Sequence, residues 1–332
     1  MTPLNRIRRF LSIVSFLAAG LGPNAALMPS AAADEWPSRR ITVIVPIGAG
    51  SGSDLMARIV MDQVAKQLNQ TIVFENRPGA GGTVGTGFVA KSPPDGYTLL
   101  AYGALASANA LYKNLSYDTL KDLTPVIPLG RQPLVVFTSP GKGYKTLADV
   151  IAAGKANPGV LNYSSAGVGS STHFAAERLL VSAGFKAQHI PFKGAADAVT
   201  EVLAGRIDFA LQPLASTLPL IRDGKLVALA VDAPVRSPAM PDLPTLPEAG
   251  LSPDSIYPFY AGLFAPAQTP KEIVEKLYRE TAKALNEPAV QAKLAVIGVE
   301  PMPMSMEQFG KFFADDVAGN IAIAQSANIN TQ

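Results

Sequence analysis

The chain has 332 residues, with 28 Lys and Arg against 26 Asp and Glu, two histidines and no cysteine. The lack of thiols excludes disulfides, thiolate chemistry, cysteine-bound zinc and a lipidated N-terminal cysteine, and two histidines leave little basis for a histidine-built metal site; no metal and no cofactor is expected. Arg6, Arg8 and Arg9 make a positive n-region, Phe10 to Leu21 an apolar h-region too short to span a bilayer comfortably, and Ser30-Ala31-Ala32-Ala33 supplies small residues for cleavage. Residues 1–33 are therefore expected to be a secretory signal, with Asp34 starting the mature chain. An uncleaved anchor is disfavoured because no long apolar stretch continues past Pro23. Without the three signal arginines, 25 basic face 26 acidic residues, a net charge near −1. No extended basic face is expected, which argues against nucleic acid as a partner. The remaining ~299 residues suffice for one large or two moderate domains.

Ile41-Thr-Val-Ile-Val-Pro-Ile47 is a nearly continuous apolar, β-branched run, as in strands covered on both faces. A Gly/Ser loop follows, then a helix over about 54–69 with Leu55, Ile59, Val60, Val64 and Leu68 on one stripe. Thr71 to Glu75 reads as a second strand and Asn76-Arg-Pro-Gly79 as a turn. Strands are predicted at 97–101, 134–137, 161–164, 188–192, 207–211 and 227–231. Helices are predicted near 173–182, 197–204 and 214–222. Thr146-Leu-Ala-Asp149 has capping-box spacing at a helix start. The proline-rich stretch 234–253 carries Leu243, Leu246 and Leu251, so it is expected to pack over a surface. The last third reads as mainly helical, opening at Thr269-Pro-Lys-Glu272 and again at Ser305-Met-Glu-Gln308. The alternation is that of an α/β protein.

Two segments share one plan of strand, Gly/Ser loop and helix: Val45-Pro-Ile-Gly-Ala-Gly-Ser-Gly-Ser-Asp54 and Asn162-Tyr-Ser-Ser-Ala-Gly-Val-Gly-Ser-Ser-Thr-His173. A helix start leaves several N–H groups without partners and carries a positive dipole end. Glycine admits an anion close to that backbone, and hydroxyls add donors. Either loop alone could be an ordinary turn with a serine N-cap; two in different halves of the chain point to joint binding of a carboxylate. Pro191-Phe-Lys-Gly194 adds one full positive charge at a third strand-to-helix junction.

Other chemistries fit less well. Gly48, Gly50 and Gly52 after a strand, with Glu75 ending the next, resemble a dinucleotide fingerprint, but the spacing is Gly-x-Gly-x-Gly and position 53 is serine. A hydrolase built from Ser170 or Ser171 with His173 would need the base placed across from the nucleophile, and no Gly-x-Ser-x-Gly elbow exists. His173 reads better as a donor that ties its loop down. Asp54 could stabilise a helix N-terminus, or contact an amino group or ordered water of a ligand. Asp208 could fix a loop. The Tyr257-Pro-Phe-Tyr260 aromatics read as core or cleft wall.

Taken together, these motifs resemble the periplasmic solute-binding proteins of tripartite tricarboxylate transporters, the Bug family. The resemblance runs through Val45-Pro46 with its loop and Asp54, Val73-Phe-Glu-Asn-Arg-Pro-Gly-Ala-Gly-Gly82 and Pro94-Asp-Gly-Tyr-Thr-Leu99. It continues in Ser165-Ala-Gly-Val-Gly-Ser-Ser-Thr-His173, Pro191-Phe-Lys-Gly194, Gly205-Arg-Ile-Asp208, Pro244-Thr-Leu-Pro-Glu-Ala-Gly250 and Ala265-Pro-Ala-Gln-Thr-Pro270. It implies a two-lobed type II periplasmic-binding fold, each lobe a mostly parallel sheet flanked by helices, with the ligand cleft between lobes. One lobe would be 34–133 plus 237–332 and the other 134–236. It further implies a periplasmic binding protein that is not an enzyme. Such a protein hands a small mono- or dicarboxylate, or an aromatic acid, to integral membrane transporter subunits, or presents it to a sensory receptor. The ligand-binding set from the first loop would be Ile47, Gly48, Ala49, Gly50, Ser53 and Asp54, joined by Ala104 and Ser107. The second lobe would contribute Ser165, Ala166, Gly169, Ser170, Ser171 and Thr172, with Phe192, Lys193 and Asp208. The first loop departs from the family pattern: Ile47-Gly-Ala-Gly-Ser51 stands where an aromatic and a Pro-Gly-Gly core are usual. The aromatic region 257–260 lacks a tryptophan, and these smaller residues could widen the cleft.

Overall fold

The computed structural model describes residues 36–192 and 194–329. The expected signal segment 1–33, its cleavage point after Ala33, Asp34 and Lys193 lie outside the described residues. In chain order, β1 (Ile41–Val45) leads to α1 (Gly52–Leu68), β2 (Ile72–Asn76), α2 (Thr83–Ala90), β3 (Thr98–Tyr102), α3 (Ala108–Leu111) and β4 (Leu123–Arg131). There follow β5 (Leu134–Thr138), α4 (Leu147–Ala156), β6 (Asn162–Ser165), α5 (Ser171–Ala183), β7 (Gln188–Pro191), α6 (Ala195–Leu203), β8 (Phe209–Pro213), α7 (Leu214–Arg222) and β9 (Val227–Asp232). The chain closes with β10 (Tyr260–Pro266), α8 (Lys271–Asn286), α9 (Pro288–Val296) and α10 (Met306–Ser326).

The strands form two five-stranded sheets, ordered β2-β1-β3-β10-β4 and β7-β6-β8-β5-β9. Both are more mixed than the expected mostly parallel sheets. In the first, β1 pairs parallel with β2 and β3, while β10 is antiparallel to β3 and β4. In the second, β6 is parallel to β7 and β8, while β5 is antiparallel to β8 and β9. The reason is connectivity. β4 passes directly into β5 of the other sheet, and β10 returns after the long 233–259 stretch, so neither β5 nor β10 enters by a right-handed βαβ crossover, which gives parallel neighbours.

Each sheet is covered on both faces. Ile41, Val43 and Val45 of β1 meet Met56, Val60 and Val64 of α1 and Leu277 of α8, while Ile44 on the opposite face joins Phe309 and Phe313 of α10. This two-sided burial explains the unbroken apolar run of β1. The buried stripe of α1 is Met56, Ala57, Val60, Met61 and Val64; Leu55, expected on it, is exposed at its edge. In the second sheet Val136, Tyr163 and Phe209 face Phe174 and Leu179 of α5, and Val135, Ala210 and Val231 face Val202 and Leu214. The core around Tyr163 also takes Leu111, Leu246, Tyr257, Ala324 and Ile329 from distant parts of the chain. The proline-rich stretch thus packs as expected: Leu246 is fully buried and its N–H bonds to the Val231 carbonyl along the free side of β9.

Helix starts follow their side chains. Thr146 and Asp149 make the reciprocal capping box before α4, and Ser305 and Gln308 make another before α10. At α8 the outcome differs from the capping box expected. Pro270 is itself the N-cap, and the Thr269 hydroxyl donates to the Pro266 carbonyl instead. Thr146→Ala removes an N-cap acceptor and is expected to cost about 1 kcal/mol, read as a lower urea midpoint. An unchanged midpoint would show that water replaces the cap without loss.

Candidate functional site

Parallel strands deliver their C-terminal ends to one edge of a sheet, where the following loops collect. Here β1 and β3 of the first sheet and β6 of the second do so across from each other. A cleft of about 660 Å3 is lined by Ile47, Gly50, Ser51, Gly52 and Ser53 on one side and by Ala166, Gly169, Ser170, Ser171 and Thr172 on the other. Ala104 and Ser107, between β3 and the end of α3, also line it. The two loops singled out by their Gly/Ser pattern therefore share one cavity.

The first loop is shaped by Asp54. Its carboxylate accepts from the Gly50 N–H at 2.8 Å, from Arg58 Nε at 3.0 Å and from Asn76 Nδ2 at 3.0 Å. Burial alone would push this carboxyl up, but those hydrogen bonds outweigh it and hold the pKa below the ordinary value. The same Asn76 amide donates to the Ile47 carbonyl at 3.0 Å, so one network fixes both ends of the loop. Gly50 sits at φ +80°, which only glycine adopts without strain. Asp54 is 1% exposed and does not line the cleft. Its role is to hold the loop rather than to meet a ligand directly.

The two helix starts at the cleft differ. At α5, Ser170 is the N-cap and accepts from the His173 N–H, while its own hydroxyl donates to the Gly167 carbonyl. Thr172 Oγ1 accepts from the Ala166 N–H. These hydroxyls are committed to shaping their loop. At α1, Ser51 is the N-cap but makes no capping bond, and its Oγ is buried without a partner. The Gly52 and Ser53 N–H groups, at the first turn, have no intrahelical acceptor. The Ser171 and Thr172 N–H groups of α5 are in the same position, so what sets α1 apart is the uncommitted Ser51 hydroxyl.

A stack of aromatic side chains underlies the second loop. The His173 and His189 rings lie 3.8 Å apart at 10°, and Tyr163 stacks on His189 at 5.0 Å. His173 Nδ1 accepts from the Gly169 N–H at 3.1 Å, and Ser165 Oγ lies 2.7 Å from His189 Nε2. His173 ties the loop down, as expected, but as an acceptor. Burial, reinforced for His173 by its neighbour His189, pushes the pKa of His173 down to about 3; burial pushes His189 down to about 4. Both rings are neutral at physiological pH. Neither is set as a base toward Ser170 or Ser171: the Ser170 hydroxyl meets only backbone groups and Thr172.

Not every expected residue reaches the cleft. Gly48 and Ala49 are exposed and outside its lining, and Ser165 is buried behind it. Phe192 packs with the apolar cluster beneath α6. Asp208 lies at the far end of β6, where it bonds Lys142 at 2.6 Å and the Asn162 N–H at 2.8 Å. It fixes a loop there. Glu75, the acid of the rejected dinucleotide reading, pairs with Arg77. Lining residues outside the expected binding set include Ser51, Gly81, Tyr102 and Gln212, while Phe259 and Tyr260 form cleft wall, one of the two roles expected for that aromatic run. Tyr102 ends a parallel strand and Gln212 interrupts the buried run Phe209-Ala-Leu-Gln-Pro213; both signals were legible.

None of the described residues lining the cleft carries a formal charge. A cavity of about 720 Å3 lies behind the shared Phe259–Tyr260 wall, with Arg178, Asp232 and Asp316 among its lining, but no α-helix begins there. Its electrostatics do not favour an anion as the cleft does. Among the described residues, no group of three or more potential metal ligands converges and no helix is long and apolar enough to cross a membrane.

Comparison with known proteins gives a consistent picture. The model of a family described as the tripartite tricarboxylate transporter family receptor matches residues 56–329. The chain is 34% identical to protein BugT of Bordetella pertussis over 312 residues, covering 93% of this chain and 94% of that protein. It resembles an R. palustris protein solved with adipate, at 30% identity and TM-score 0.76, covering 90% of this chain and 100% of the other. It also resembles MatC from Rhodopseudomonas palustris with bound malate, at 31% identity and TM-score 0.72, covering 86% and 99%.

Proposed function

Because the chain belongs to the tripartite tricarboxylate transporter receptor family, we propose that it captures a small organic carboxylate in the cleft and hands it to the integral membrane subunits of such a transporter. The observation that carries this reading is the convergence of two helix starts on one cleft whose described lining is uncharged. Oriented N–H groups and two positive dipole ends favour a carboxylate there. The adipate and malate bound to relatives support the same ligand class.

In this reading 34–133 plus 237–332 and 134–236 act as two lobes that close by a hinge at their crossings, and the closed form is what the membrane partner recognises. Export to the periplasm rests on the signal read in residues 1–33. The protein binds its guest and does not transform it, in keeping with a Ser170 that has no base aimed at it.

A thermal-shift screen against mono- and dicarboxylates tests the reading, because a ligand of the folded state raises its melting temperature. At least one acid is expected to do so; a panel that leaves melting untouched would sink it. Ser51→Ala should weaken the best acid roughly tenfold, the loss of one hydrogen bond to a charged group. Its free-protein stability should stay within about 0.5 kcal/mol, since it removes no cap bond. Ser170→Ala should do the reverse in part, losing about 1 kcal/mol of stability with the cap. Calorimetric titration and urea unfolding of both variants separate the two roles.

A further inference from the structure

We propose that Gln212 is the residue by which the cleft selects a hydroxy acid over the same acid without its hydroxyl. The proposal rests on the carboxylate-capture reading and names the chemistry of the ligand's second polar group. Gln212 lies in β8, is among the residues lining the cleft, and is fully buried in this structure. Neither its Oε1 nor its Nε2 has a hydrogen-bond partner.

Four of its neighbours in the lining are already engaged. The hydroxyls of Tyr102, Ser107, Ser170 and Ser216 donate to the carbonyls of Gly81, Ala104, Gly167 and Pro213 respectively. Gln212 is therefore a buried amide whose hydrogen-bonding capacity is left for whatever enters. Ala195, the first residue of α6, lines the same cleft, and that helix has Gly194 at its N-cap and no side-chain cap.

An amide offers donors and an acceptor together. A methylene placed against it leaves both unmet. A second carboxylate could accept from Nε2 but would set its charge against Oε1. A hydroxyl donates to Oε1 and accepts from Nε2 or from a first-turn N–H of α6, so it is the group that completes the site. A site built this way discriminates against the analogue lacking the hydroxyl, because its own buried polar groups then stay unpaired.

The test is calorimetric, on the parent protein and on Gln212→Met and Gln212→Leu, with pairs differing by one hydroxyl: lactate and propionate, malate and succinate, 4-hydroxybenzoate and benzoate. In the parent, at least one pair should favour the hydroxy acid by roughly tenfold or more. In Gln212→Met that ratio should fall to near one, because the hydroxyl then has no amide to pair with. Gln212→Leu serves as the second variant should methionine fit poorly. Equal affinity within every pair in the parent, or a ratio that survives both substitutions, overturns the role of Gln212 and leaves carboxylate capture standing. If no member of any pair binds and the wider acid screen is also silent, the carboxylate reading fails instead.

Discussion

Asp54→Ala is expected to unfold at a clearly lower denaturant concentration than the parent, by about 2–3 kcal/mol, and to bind the best acid of the screen at least tenfold more weakly. The carboxylate is 1% exposed and gathers three donors, from Gly50, Arg58 and Asn76. Removing it leaves the Gly50 N–H and the Asn76 amide without their acceptor. The Arg58 side chain is 38% exposed, so water can receive its guanidinium, which places the loss below that for a fully buried pair. Asp54→Asn should fare little better, because its new N–H2 must face donors. If Asp54→Ala kept both its urea midpoint and its affinity, the network would not be what positions the 47–54 loop.

Acidification from pH 7 to pH 5 should withdraw the stability that the two buried histidines contribute. His173 and His189 titrate at about 3 and about 4 in the folded protein, below the value near 6.5 of an exposed imidazole. The unfolded chain therefore takes up protons first. The stabilisation is complete above pH 6.5 and is lost as pH falls toward 4 and then 3, by roughly 2 kcal/mol per histidine at pH 5. Asp316 works the other way, since burial pushes its carboxyl up to about 7 despite the nearby Arg178, and burial raises the carboxyls of Asp232 and Glu177 as well. A paired comparison removes these contributions. His173→Asn keeps an acceptor for the Gly169 N–H but cannot titrate, so between the two pH values its stability should change by about 2 kcal/mol less in the destabilising direction than the parent's. Equal losses in parent and variant would mean that the His173 ring does not carry the effect.

Much of the fold was legible because its strands are buried on both faces and punctuated by Gly and Pro. β1, β3, β6 and β9 fall within a residue or two of expectation. β4 was missed because Pro125 and Pro128 argue against a strand. It is tolerated as an edge, where β10 is its only neighbour in the sheet and prolines need not donate outward. β10 was hidden in a region read as helical, because Gly262 and the flanking prolines break its pattern. The two loops of the cleft were visible in composition. Which of their hydroxyls remain uncommitted was not, since that depends on contacts such as Thr172 with Ala166 that only the folded chain creates. Asp208 illustrates the same limit. An acid near a Gly-rich turn carries no mark telling which end of its sheet it will occupy.

The second sheet draws its core partly from Leu246, Tyr257, Ala324 and Ile329, and α10 reaches from Phe309 and Phe313 under one sheet to Ala324 under the other. The halves are consequently not interchangeable cassettes. A fragment cut to residues 134–236 would surface apolar side chains that the rest of the chain normally shields, and recombining halves from two relatives would demand that their terminal helices travel with the partner they cover.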